Sequence, residues 1–207
     1  MLQLVIGSFS LSIVHALIPN HWIPMVLVGK TEGWSGKQTL WVTAIAGFAH
    51  VLSTISLGIL IGTIGLNLSY HYQKFTAFAA PLILIFMGVL YFGMEFSQGS
   101  HNHLPGKDKL KGKSKQAIIL SMVVAMFFSP CLEVETYYFM AGAIGWQGIL
   151  VVSIIYMTVS ICGMLLMVRL GIKGIERYKW HFLEHHEKKI TGTILITLGI
   201  LTYYIGF

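Results

Sequence analysis

The chain has 207 residues, 55% of them hydrophobic and 11% charged, with a mean hydropathy of +0.73. That balance excludes an ordinary soluble domain, while 22 glycines without a triplet period and only 2 cysteines exclude collagen-like and disulfide-scaffold chains. The surplus of apolar residues also excludes a disordered chain. A net charge of +6 and a pI of about 9.3 would raise nucleic acid as a partner in a soluble protein, but the placement of the charges gives another answer.

About 20 apolar residues suffice for a helix to cross the hydrocarbon core. Apolar runs predict six such spans, near residues 2–28, 39–68, 75–96, 117–142, 147–170 and 191–207. The first could be taken for a secretory signal, since it ends in small residues near Val14-His15-Ala16. It has no basic leader, however, and the polar cluster after it returns to apolar sequence, so it is read as a span. Of the 14 Lys and Arg residues, 13 fall in or beside the first, third and fifth connections, leaving Lys74 on the other side. The positive-inside rule makes that basic face cytoplasmic and both termini external, in a bacterial-type inner membrane. The charge thus reads as topology and contact with anionic lipid, with no nucleic-acid partner.

The lysine-rich stretch 97–116 divides the chain into three-span halves, 1–96 and 117–207, within one domain. An odd number of spans per half implies inverted topology. Each half opens on a span interrupted by proline, Pro19 in His15-Ala-Leu-Ile-Pro-Asn-His21 and Pro130 in Ser129-Pro-Cys-Leu-Glu133-Val-Glu135. A mid-membrane proline frees a carbonyl, which lipid tolerates only where the backbone is buried or lines a wet cavity. Paired broken helices in corresponding positions point to the central site of a transporter. The expected fold is therefore an all-α membrane protein with six transmembrane helices in a 3+3 inverted repeat, the leading helix of each half broken at proline.

His15, His21, His50, Cys131, Glu133 and Glu135 all lie inside apolar spans. Each ionisable group there costs roughly 2.5 kcal/mol or more and needs a partner. Imidazole, carboxylate and thiolate together form a ligand set for borderline divalent ions such as nickel, cobalt, zinc or ferrous iron. Asn20, Ser53, Thr54 and loosened carbonyls are available to complete a shell. Six residues apart, His15 and His21 differ by about 120° in azimuth on a regular helix, so they converge only if the helix breaks between them. Cys131 and Glu135 share a face by their i, i+4 spacing, whereas Glu133 points elsewhere unless the backbone after Pro130 unwinds. Of the two acids, one would bind cation while the other exchanges protons.

Outside the spans, His101 and His103 open the lysine-rich loop as a metal-scavenging pair or a plain polar loop. His181 and His185 have the spacing of a metal pair on one helix face, in a segment that equally reads as interfacial, with Trp180 and Phe182 in the headgroups. Gly58 and Gly62 are a small-xxx-small pair for close helix packing.

At His15-Ala16-Leu17-Ile18-Pro19-Asn20-His21, with His50 in the second span, His101 and His103 in the loop and Pro130-Cys131 opening the second half, the chain resembles the NicO-type nickel/cobalt efflux family of the LysE-like superfamily. The resemblance implies cation export from the cytoplasm, with His15, His21 and His50 as metal ligands. Glu133 and Glu135 have no counterpart in that family's motif and shift weight toward iron, zinc or manganese. Thiol-disulfide electron conduits share the superfamily, but aligning Pro130 on Pro19 sets Cys131 opposite Asn20, leaving one half without its cysteine.

The resulting expectation is a transporter of a divalent transition-metal cation, coupled to protons, with the metal as substrate and a homodimer as one possible assembly. An intramembrane metalloenzyme using the same His and Glu residues is the alternative, followed by a thiol-disulfide conduit.

Overall fold

A computed structural model describes residues 1–71 and 114–174, with scattered positions in 82–93 and 189–204. Among the described residues the fold is all-helical, with six principal helices: α1 (Leu2–Leu17), α2 (Pro19–Thr31), α3 (Gly36–His71), α4 (Lys115–Phe127), α5 (Leu132–Ile144) and α6 (Trp146–Gly174).

Local chemistry fixes where these helices begin and end. Ile18 is disfavoured from helical geometry by the proline that follows, and it stands extended at φ −62°, ψ 128° between α1 and α2. Pro19 then opens α2 at a position where a missing N–H costs nothing. The indole N–H of Trp22 donates to the Leu17 carbonyl at 3.2 Å, supplying a donor at the broken end of α1. At the start of α3, Ser35 and Gln38 cap one another reciprocally, each side chain accepting from the other's backbone N–H at 3.3 and 3.1 Å. The Ser114 hydroxyl accepts from Ala117 N–H at the start of α4. Between α5 and α6 stands a single residue, Gly145, at φ +116°, a conformation that favours glycine.

Three stretches are long and apolar enough to cross a membrane: Leu2–Thr31, Gly36–Leu68 and Trp146–Gly174. The α4 and α5 pair, bent by 47° at its break, forms a fourth. The expected spans 75–96 and 191–207 and the loop 97–116 lie largely outside the described residues. The burial pattern is that of a protein in lipid. His15, His50, Thr54 and Ser160 are almost wholly buried, whereas Trp41, Leu60, Phe128 and Leu150 stand outward.

The two parts of the chain interlock. Helix α3 packs against both segments of the α4/α5 pair, while α6 packs against both segments of the α1/α2 pair. Small residues permit the approach: a Cβ on Gly142 would land on the Gly62 carbonyl of α3, and one on Gly58 would enter the Tyr138 ring. One apolar cluster around Val134, Tyr138 and Tyr156 and a second around Trp22, Val26 and Met164 form the core.

Candidate metal centre

The break at Ile18 redirects the chain so that His15, in the last turn of α1, and His21, in the first turn of α2, face each other with ring centroids 4.6 Å apart. His50 arrives from the middle of α3, its ring 4.6 Å from His21 and 5.6 Å from His15. Cys131 enters from the other part of the chain as the extended residue before α5. Its Sγ lies 3.3 Å from His50 Nε2, 3.5 Å from His15 Nε2 and 3.8 Å from His21 Nε2. The four ligand atoms lie within 4.8 Å of one another, and all four residues are buried.

Neighbouring groups aim these ligands. Pro130 has no N–H to offer the Met126 carbonyl four residues earlier. His50 Nδ1 lies 3.2 Å from that carbonyl and donates to it, which leaves the Nε2 lone pair facing the centre. The backbone N–H of Cys131 donates to Thr54 Oγ1 at 3.2 Å, and the Thr54 hydroxyl donates to the His50 carbonyl at 3.1 Å. Thr54 therefore ties the sulfur-bearing turn to the helix carrying His50. His15 Nδ1, by contrast, is buried with no hydrogen-bond partner among the described residues.

Of the six residues expected in the site, the structure brings together His15, His21, His50 and Cys131. Glu133 and Glu135 are buried in the first turn of α5 but are not members of the four-atom cluster. Each residue of a helix advances about 1.5 Å, so Glu135 stands roughly one turn beyond Cys131. Both Glu135 oxygens are buried without a hydrogen-bond partner among the described residues. Ser53 and Thr54 hydroxyls both donate to the His50 carbonyl, so Thr54 supports the site where a shell ligand was expected. The side chain of Asn20, and His101, His103, His181 and His185, lie outside the described residues.

One neighbour was missed by the sequence reading. Tyr156 on α6 is fully buried, with its ring 5.6 Å from that of His15. The signal available was its i, i+4 spacing from Ser160, a polar stripe on an otherwise apolar span. Cys131 and Cys162 are both free, the first buried and the second exposed on α6.

Three neutral imidazoles and one thiolate can bind a borderline transition-metal ion and have no use for calcium or magnesium. No family model, curated protein or solved structure matches this chain.

Proposed function

We propose that the protein transports a divalent transition-metal cation across a bacterial-type inner membrane. One observation carries this reading: a buried His/His/His/Cys cluster lies where two broken, membrane-length helical stretches meet. Broken helices converging on a buried site are the architecture by which transporters hold ions away from either surface. His15, His21, His50 and Cys131 hold the cation as substrate. The unanchored His15 ring supports exchange, because a ligand not fixed from behind can swing away. Glu133 and Glu135 serve proton coupling; both Glu135 oxygens are buried without a hydrogen-bond partner among the described residues, and such a carboxyl group demands a proton or a cation.

In this reading the 3+3 inverted repeat completes itself through the third span of each half. The basic connections face the cytoplasm, and the direction is export, in keeping with the resemblance to NicO-type exporters.

The test is ion flux in proteoliposomes over nickel, cobalt, zinc, iron and manganese, comparing wild type with His21→Ala and Glu133→Gln. Selective flux lost in both variants supports transport. Absence of flux, with stoichiometric, tightly held metal, replaces it with the intramembrane metalloenzyme.

A further inference from the structure

The geometry points to the ion class: we infer that the site is built for a four-coordinate, thiolate-bound divalent ion of the zinc type, with Cys131 as the residue that sets this preference. The inference rests on the proposed function for calling the ion cargo, but the coordination geometry can be tested without transport.

Bonds of about 2.3 Å to sulfur and about 2.0–2.1 Å to nitrogen in a tetrahedral ion put each nitrogen about 3.6 Å from the sulfur. The three distances here are 3.3, 3.5 and 3.8 Å, while the four ligand atoms together spread over up to 4.8 Å, wider than the nitrogen–nitrogen edge of about 3.4 Å in a tetrahedral site, so the imidazoles must close inward on the ion. A square-planar ion holding these four atoms would set one nitrogen directly across from the sulfur, at about 4.4 Å. None of the three histidines takes that position, which disfavours square-planar nickel.

An octahedral ion needs two donors beyond these four. The Thr54 hydroxyl is already engaged by Cys131 N–H and the His50 carbonyl, and Glu133 and Glu135 lie outside the four-atom cluster, which leaves the buried, unpartnered Tyr156 hydroxyl as one further oxygen among the described residues where two are needed. Manganese and ferrous iron, which favour oxygen-rich or more open sites, are poorly served by one sulfur and three nitrogens. Copper(I) is better matched by sulfur-rich sets than by three imidazoles. Zinc takes nitrogen and sulfur equally and has no geometric preference from its d electrons to oppose this arrangement.

Cobalt(II) added to the purified full-length protein in detergent reports the geometry directly. The expected spectrum has the intense visible bands of tetrahedral cobalt and a sulfur-to-cobalt charge-transfer band. Zinc is expected to displace that cobalt at lower concentration than nickel, iron(II) or manganese. Removing a partner one shell out typically costs about 10- to 100-fold in affinity, so Cys131→Ser is expected to lose more than about tenfold for zinc and to narrow the gap between zinc and nickel.

A pale, octahedral-type spectrum, or nickel displacing cobalt as readily as zinc, overturns the inference. Because these readouts use wild-type protein, they stand even where Cys131→Ser does not fold. Flux accompanied by an octahedral spectrum removes the ion class alone; a tetrahedral spectrum without flux removes transport alone.

Discussion

Thr54 offers a sharp perturbation because it touches no expected metal atom and yet holds two pieces of the centre. Its oxygen accepts from Cys131 N–H at 3.2 Å and donates to the His50 carbonyl at 3.1 Å, in a position with no solvent exposure. Valine has nearly the same shape and lacks the hydroxyl. Thr54→Val therefore leaves a buried backbone N–H without this acceptor, a cost of about 1–3 kcal/mol. The turn presenting Cys131 is then free to drift from the three imidazoles. Loss of such a supporting partner typically lowers metal affinity by about 10- to 100-fold, equivalent to about 1.4–2.7 kcal/mol and close to the hydrogen-bond cost. Zinc affinity of purified protein, measured by competition with a chromophoric chelator, reads the effect. Melting of metal-free protein separates it from global damage. Thr54→Ser keeps the hydroxyl and is expected to stay near wild type. Valine binding zinc as tightly as threonine, or serine binding as weakly as valine, would refute the clamp.

Other expected outcomes follow from the same geometry. Pro130→Ala allows α4 to extend and brings an N–H to compete for the Met126 carbonyl, which already accepts from Ser129 N–H besides His50, and zinc affinity is expected to fall about tenfold in the chelator assay. Gly142→Ala drives a methyl into the Gly62 carbonyl and is expected to cost about 1–3 kcal/mol in detergent unfolding, whereas Gly36→Ala, with nothing within 4 Å, is expected to leave the transition in place. Trp22→Phe removes the donor to Leu17 and opens a void where the buried indole lies against Gly171, with an expected loss of about 1–3 kcal/mol in the same unfolding measurement.

Much of the site was legible in the sequence because proline and ionisable residues have strong meanings in a membrane. The position of Pro19 indicated where His15 and His21 must turn toward each other, and Pro130 marked the second break. The role of Thr54 was hidden, since a threonine one turn beyond a histidine reads equally as a ligand or as its support. Which interpretation holds depends on the neighbouring helix, whose azimuth no local pattern encodes. The same limit explains Glu133 and Glu135: spacing places Glu135 on the face of Cys131 but not within reach of the histidines. Tyr156 escaped notice because a single aromatic in an apolar span is ordinary until the approach of α6 to α1 sets it against His15.

The crosswise packing also bears on biogenesis. Ribosomes deliver His15, His21 and His50 first, with α1, α2 and α3, while the sulfur arrives only after the chain has been made through residue 131. The four-ligand centre therefore cannot mature with the first part alone, because its surfaces await α4, α5 and α6. Until α5 is in place the three imidazoles stand without their sulfur, so the order of synthesis itself keeps the half-made chain from presenting the complete cluster.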